Sequence, residues 1–173
     1  MNAASVLELG AAGLGALVAV LGLVTGRGSR PYAVTVLAFL AIGLAAAWLG
    51  DPETTDHEGR VLLLVAGVLA VTGGGLVTTQ VFALVDTDAR TVRAGEVLRG
   101  GAWIGALERL AVFATLIAAW GPGLAIVLAV KGLGRYPELR NQEDTGAAER
   151  FIIGTFVSVL WAAGCAALTH PWS

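Results

Sequence analysis

The stretch GALERLAVFATLIAAW, residues 105–120, is long enough to enter a lipid bilayer, yet it contains two adjacent opposite charges, Glu108 and Arg109. A charged side chain at the centre of a membrane helix costs about 2.5–3.5 kcal/mol on insertion scales. Such residues therefore face other helices or a polar cavity, and they commonly belong to a functional site. The stretch predicts a membrane helix with a buried polar site against its neighbours.

The composition of the whole chain places it in lipid. Of its 173 residues, 56% are hydrophobic and 14% are charged, whereas soluble domains are about 25% charged. The mean hydropathy is +0.76. The net charge of −2 provides no basic surface, so nucleic acid is excluded as a partner. The single cysteine, Cys165, excludes an internal disulfide.

Six apolar segments reach or approach the roughly 20 residues that span the hydrocarbon core. They predict an all-α, polytopic membrane bundle, with one transmembrane domain over residues 1–173. The predicted helices are residues 5–25, 31–49, 61–85, 101–120, 122–134 and 151–169. The fifth is short and spans only if Lys131 and Arg135 extend toward the headgroups. The stretch 120–123, WGPG, predicts a tight interfacial turn before it.

The basic residues predict the orientation of the bundle. With six helices, Arg60 lies on one side, Arg109 lies in the membrane, and nine basic residues share the other side. These nine are Arg27, Arg30, Arg90, Arg93, Arg99, Lys131, Arg135, Arg140 and Arg150. By the positive-inside rule their side is cytoplasmic, so both termini are outside. The sequence predicts a multi-pass protein of the bacterial inner membrane.

The third helix contains VTGGGLVTTQ, residues 71–80, and its three glycines allow two interpretations. A broken helix would expose its backbone to a cavity, as transporters do. A continuous, close-packed helix would instead let Thr72, Thr78 and Thr79 bond back to their own helix. The amide of Gln80 needs partners that lipid lacks, which makes Gln80 a candidate binding residue.

Small residues at four-residue spacing mark the sixth helix at Gly154, Ser158 and Ala162. Such residues let helix backbones approach closely in lipid. The pattern predicts packing within the bundle, and an interface between copies of the chain is the alternative. Membrane lipids and a second copy of the chain are therefore the expected partners.

Charged side chains converge on the cytoplasmic half of helices four to six. Glu108 lies about 10 Å inside the fourth helix at 1.5 Å per residue. The returning fifth helix brings Lys131 to the same level, with Arg135 and Glu138 on the same stripe. The candidate ligand-binding residues are Glu108, Arg109, Lys131, Arg135, Glu138, Glu149, Arg150 and Gln80. They form either a pocket or a structural ion-pair network.

No nucleotide-binding loop, HExxH motif, GxSxG motif or paired-cysteine motif is found in the sequence. We therefore predict neither a cofactor nor a metal site. The acidic stretch DPETTDHEGR, residues 51–60, is interpreted as a solvated loop.

Three segments resemble a known family. They are LRGGAWIGALERLAVF (98–113), AIVLAVKGLGRYPEL (125–139) and AERFIIGTFVSVLWA (148–162). They resemble the C-terminal membrane portion of a family of bacterial inner-membrane proteins of unknown function, found in actinobacteria as small stand-alone proteins. The resemblance implies the same topology and the same charged residues, and it carries no activity.

The sequence predicts that a charged pocket binds or moves a small or lipidic anionic ligand. A membrane-embedded enzyme acting on a lipid or isoprenoid substrate is one alternative, with Glu108 as the catalytic acid or base. A structural membrane subunit is the other. The identity of the ligand and the oligomeric state stay open at this point.

Overall fold

The protein is described by a computed structural model over residues 3–25, 30–49, 56–85, 101–140 and 147–169. These residues form six helices and no strand, which confirms the predicted all-α bundle. The helices are α1 (Ala3–Val24), α2 (Arg30–Leu49), α3 (Asp56–Val85), α4 (Gly101–Ile117), α5 (Gly121–Arg140) and α6 (Ala147–Ala167).

Four of these helices, α1, α2, α3 and α6, are long and apolar enough to cross a membrane. Helix α4 has only 17 residues, and the second half of α5 carries Lys131, Arg135, Glu138 and Arg140. That α4 and α5 also span therefore remains a prediction. Large apolar side chains on the outer surface, such as Leu64 and Leu160, suit a surface covered by lipid tails.

Helix α3 is the centre of the bundle and packs against α1, α2, α4 and α6, whereas α5 packs mainly against α4. Small residues of α1 face α3, because a Cβ atom on Gly15 would lie 3.5 Å from Leu69 and one on Gly22 would lie 3.0 Å from Leu76. Their size lets the helix axes come close, which in lipid supplies packing energy that the hydrophobic effect does not. The core therefore depends on close backbone approach.

Helix α3 is continuous through Gly73, Gly74 and Gly75. Three threonines bond back to carbonyls four residues earlier, as the close-packed interpretation expects. Thr72 donates to Val68 at 2.7 Å, Thr78 to Gly74 at 2.7 Å and Thr79 to Gly75 at 2.9 Å. The glycines therefore admit neighbouring side chains and do not break the helix.

The small-residue stripe of α6 lies inside the bundle. A Cβ atom on Gly154 would lie 2.7 Å from the ring of Phe82 on α3. Ser158 and Ala162 are both buried. These positions match the interpretation that the stripe packs helices within one chain.

The turn between α4 and α5 lies where the WGPG stretch predicts it. The Trp120 N–H donates to the Thr115 carbonyl at 2.9 Å, and the Ala119 N–H donates to Leu116 at 3.0 Å. This pair of bonds is the Schellman pattern that ends a helix, with Ala119 in the left-handed region at φ 49°. Gly123 then lies directly against the Trp120 ring, where a side chain would overlap it.

Helix α5 is longer than predicted, because it continues past Gly134 to Arg140 with Pro137 inside it. The missing N–H of Pro137 removes only one backbone bond, to the carbonyl of Leu133. Helix α4, in contrast, is shorter than predicted. It ends at Ile117, three residues before the predicted end, because the Schellman turn begins there. Helices α3 and α6 begin earlier than predicted, at Asp56 and Ala147.

Candidate functional site

A cavity of about 770 Å³ lies at the end of the bundle where α3 and α5 finish and α4 and α6 begin. All four helices contribute to its walls, and Leu23 of α1 closes one edge. The volume is in the range of small-molecule binding sites. Because of the alternating helix directions, this is the side that the basic residues predict to be cytoplasmic.

Arg109 forms the inner end of the cavity and is only 8% exposed. Its Nε and Nη2 donate to the carbonyl oxygen of Val71 on α3, at 3.1 and 2.8 Å. Its Nη1 donates to the Ser158 hydroxyl on α6 at 3.5 Å. These acceptors are neutral. Among the described residues no carboxylate contacts the guanidinium, and the Glu108 carboxylate attracts its charge only at longer range.

The glycine run of α3 provides the space for this arginine. A Cβ atom on Gly74 would overlap Cδ of Arg109 and would lie 2.8 Å from Cδ1 of Trp161. The Trp161 indole donates to the Leu69 carbonyl at 3.1 Å. Two side chains, from α4 and α6, thus lie flat on one bare stretch of α3 and donate to its carbonyl oxygens.

Glu108, the neighbour of Arg109, faces a different helix. Its carboxylate forms an ion pair with the Lys131 ammonium of α5. Both side chains are mostly buried and line the cavity. The pair fastens α5 to α4, and the two opposite charges largely offset each other's desolvation.

The outer part of the cavity contains two further arginines, Arg135 of α5 and Arg150 of α6. The guanidinium carbon of Arg150 lies 4.0 Å from the centroid of the Phe82 ring, a cation–π contact. Phe82 is itself held against Gly154. The absence of a side chain at Gly154 therefore determines the position of Phe82 and, through it, of the Arg150 guanidinium.

Hydroxyl groups line the inner wall between the charges. Thr72, Thr78 and Thr79 come from α3, and Thr155 and Ser158 come from α6. The Thr155 oxygen is buried, and it has no hydrogen-bond partner among the described residues. A buried hydroxyl without a partner costs about 1–3 kcal/mol, so its position beside a cavity requires an explanation.

The structure brings together five of the eight predicted site residues: Glu108, Arg109, Lys131, Arg135 and Arg150. Gln80 is half-buried on α3, and Glu149 is exposed at the start of α6; neither lines the cavity. The side chain of Glu138 lies outside the described part of the structure. The convergence of α4, α5 and α6 is as predicted, and the contribution of α3 is larger than predicted.

The sequence interpretation missed three contributors. The sequence predicts only a packing role for Ser158, because small polar residues on a membrane helix are typical of close contacts, and Thr155 lies beside the same stripe. The carbonyl of Val71 has no side-chain signal of its own in the sequence. The glycine run beside it is the feature that could have indicated it, since a bare backbone opposite a buried arginine offers that arginine an acceptor.

The charges of the cavity favour an anion. Its described lining contains four basic side chains and one acidic one, Glu108, which is paired with Lys131. Beyond Arg109, the space between α3, α4 and α6 is filled by buried side chains, including Phe113, Trp161 and Cys165. In this conformation the cavity is a blind cleft that is open at one end.

The fold and the site define a polytopic helical membrane protein with a basic cavity at one end. No family model matches the chain, so its membership of the inner-membrane family that it resembles stays a prediction. No solved structure matches it.

The chain is similar to the fluoride-specific ion channel FluC of Hyphomonas neptunium (strain ATCC 15444), with 38% identity over 88 residues. The aligned segment covers 50% of this chain and 64% of that protein. The similarity and the apolar helices confirm the predicted location, a multi-pass protein of the bacterial inner membrane.

Proposed function

We propose that this protein binds a small anion in the basic cavity and moves it across or into the membrane. The observation that carries the proposal is the environment of Arg109. Its guanidinium is buried and donates to two neutral groups, the Val71 carbonyl and the Ser158 hydroxyl. A buried charge is stable only when it is compensated. The Glu108 carboxylate is paired with Lys131 and supplies only part of that compensation, and an anion in the adjoining cavity supplies the rest.

The similarity to a channel named as fluoride-specific supports transport of a small anion. Because the chain spans less than two thirds of that protein, fluoride itself is a proposal for this chain. Fluoride and chloride are the first anions to test.

Movement requires more than binding, because the cavity is blind beyond Arg109. The described side chains on the far side, such as Phe113 and Trp161, are buried and apolar. A path to the other side requires these side chains to rearrange, or the anion to leave by the end through which it enters. Binding is therefore the step that the arrangement supports directly.

A lipidic anion is a second candidate, favoured by the size and the rim of the cavity. About 770 Å³ exceeds the space that one small ion fills. Trp103, which is 83% exposed, and Ile104 line the same cavity and could contact an acyl chain. A headgroup would then lie against the arginines. This hypothesis assigns the same basic residues to the binding site and differs only in the ligand.

Two other interpretations remain predictions. An enzyme would use Glu108 as acid or base, and it would show turnover of a lipid or isoprenoid substrate. A structural subunit would bind no ligand. The interface between copies of the chain is likewise a prediction, and it requires a surface other than the buried small-residue stripe of α6.

The test is an equilibrium titration of the purified full chain, in lipid nanodiscs, with sodium fluoride and with sodium chloride. Saturable binding of either anion is expected, together with a loss of affinity in Arg150→Gln. The matched control is Arg60→Gln, which removes an exposed arginine from the opposite end of the bundle. No saturable binding by the wild-type protein would overturn the proposal for small anions.

A measurement of anion flux through liposome membranes distinguishes transport of the anion from binding alone. Liposomes containing the protein and loaded with fluoride or chloride should release it faster than empty liposomes, as followed with an ion-selective electrode. Binding without release, accompanied by a lipid that co-purifies and is seen by mass spectrometry, would favour the lipidic ligand.

A further inference from the structure

We infer that the inner end of the cavity is a subsite for one monovalent inorganic anion. This inference rests on the proposed anion binding. Arg109, Thr155 and Ser158 hold that anion. All three line the cavity. Thr155 and Ser158 are three residues apart on α6 and therefore share one face of the helix.

The Thr155 hydroxyl is the first sign of a ligand. Six other threonines donate to a helix carbonyl three or four residues earlier: Thr25, Thr72, Thr78, Thr79, Thr115 and Thr169. Thr155 has no partner among the described residues, although its oxygen is buried. A helix carbonyl is the usual acceptor for such a hydroxyl. Its proton is therefore not used by any described contact. Because the oxygen itself is enclosed, an anion in the cavity that Thr155 lines reaches the hydroxyl when the side chain rotates.

The remaining groups of the subsite are also donors. The Ser158 oxygen accepts from Arg109, and no described contact uses its proton. A guanidinium has five N–H groups, and the described contacts of Arg109 use three of them. The nearest acceptor, the Val71 carbonyl, already receives two of those bonds.

A set with more donors than acceptors favours an anion over water. A water molecule must place its own two protons on acceptors, and these side chains offer few. An anion accepts from every donor and requires no acceptor in return. The subsite thus matches the hydrogen bonding of an inorganic anion.

The charge balance indicates a single negative charge. Glu108 and Lys131 neutralise each other, which leaves the Arg109 charge at the inner end. One monovalent anion makes this region neutral, whereas a divalent anion would leave a net buried charge.

Two glycines keep the guanidinium accessible. A Cβ atom on Gly105 would lie 3.3 Å from Nη1, and one on Gly75 would lie 3.6 Å from Nη2. Both glycines line the cavity. A side chain at either position would therefore contact the two nitrogens that carry the unused N–H groups.

The test compares Thr155→Val with Thr115→Val in full-length protein titrated with sodium fluoride, sodium chloride and sodium sulfate. Both variants remove a buried hydroxyl at nearly constant volume, but Thr115 does not line the cavity. The Thr115 hydroxyl is already satisfied by the Val112 carbonyl, so Thr115→Val should keep wild-type anion affinity. Thr155→Val should lose about tenfold or more, since it removes a hydrogen bond to a charged group.

Unfolding temperature in anion-free buffer provides the second measurement. Thr155→Val should be at least as stable as the wild type there, because it removes a buried hydroxyl that lacks a partner. Fluoride or chloride should stabilise the wild type more than it stabilises the variant. Sulfate should bind more weakly than the monovalent anions.

The subsite proposal is contradicted, while the proposed function stands, if the wild type binds fluoride or chloride and Thr155→Val binds equally well. It also fails if Thr155→Val is less stable than the wild type in anion-free buffer and retains its affinity, since the hydroxyl would then have a structural partner. If the wild type binds no anion at all, the proposed function fails as well.

Discussion

The guanidinium of Arg109 donates two hydrogen bonds to one oxygen, the carbonyl of Val71, across the interface between α4 and α3. The bonds measure 3.1 and 2.8 Å. They fix the plane of the guanidinium against a bare stretch of backbone. Because the acceptor is neutral, the arginine is held in place while its positive charge stays available to the cavity.

Gly74→Ala should destabilise the protein. The added methyl group would overlap Cδ of Arg109 and would press on the Trp161 ring. Overpacking of this kind typically costs about 1–3 kcal/mol. Thermal unfolding in detergent, followed by tryptophan fluorescence, measures the change.

The control for this variant is Gly59→Ala on the same helix. A Cβ atom there meets nothing within 4 Å, so the substitution should be neutral or stabilising by up to about 1 kcal/mol. If Gly74→Ala is as stable as Gly59→Ala, Arg109 does not lie where we place it.

Glu108→Gln should also destabilise the protein, because it leaves the Lys131 ammonium without its partner in a mostly buried position. We expect a loss of about 1–3 kcal/mol, between the values typical of surface and buried pairs. The double variant Glu108→Gln/Lys131→Gln should recover part of the loss. Urea or thermal unfolding of the wild type, Glu108→Gln, Lys131→Gln and the double variant gives the coupling energy between the two side chains.

Strict additivity of the two single substitutions would contradict this ion pair. Recovery in the double variant supports a stabilising contact between α4 and α5. Anion titration of the same four proteins then shows whether the pair also matters for binding.

The bundle and the meeting of α4, α5 and α6 could be predicted because both follow from patterns within single helices. Apolar length indicates a membrane helix, and the turn at residues 120–123 sends α5 back along α4. Once α5 returns, 1.5 Å per residue brings Lys131 to the level of Glu108. The predicted proximity of Lys131 to Glu108 is confirmed by the ion pair between them.

The place of α3 in the site could not be predicted. Besides its threonines and Phe82, α3 contributes a carbonyl oxygen and a run of glycines. Neither the oxygen nor the glycines identify their partner in the sequence. The bond from Arg109 to Val71 joins residues 38 positions apart, so it depends on how whole helices pack. Gln80, in contrast, is predicted as a site residue but does not line the cavity. A polar side chain in a membrane helix needs a partner, and that partner need not be in the cavity.

Gly154→Leu should destabilise the bundle more than Leu160→Ala does. A Cβ atom on Gly154 would lie 2.7 Å from Phe82, and a leucine there would force α3 and α6 apart. Leu160 is 67% exposed on the same helix and buries little surface. Comparison of the two unfolding temperatures tests this, and equal shifts would show that the stripe does not pack against α3.

Reporter fusions should place residues 51–60 and Ser173 outside the cell and residues 86–99 inside. The reason is the segregation of basic residues, with Arg60 on one side and nine on the other. This orientation would open the basic cavity to the cytoplasm. A cytoplasmic Ser173 would require an odd number of crossings or the opposite orientation.

The most direct measurement of the central claim is the position of a heavy monovalent anion in crystals of the full chain. Bromide can replace lighter halides, and its anomalous scattering locates it without reference to neighbouring atoms. We predict a bromide peak within hydrogen-bonding distance of the Arg109 guanidinium and of the Thr155 hydroxyl. The claim would be contradicted if bromide bound only at the outer surface, or if the Glu108 carboxylate turned from Lys131 to neutralise Arg109 and left the cavity without an anion.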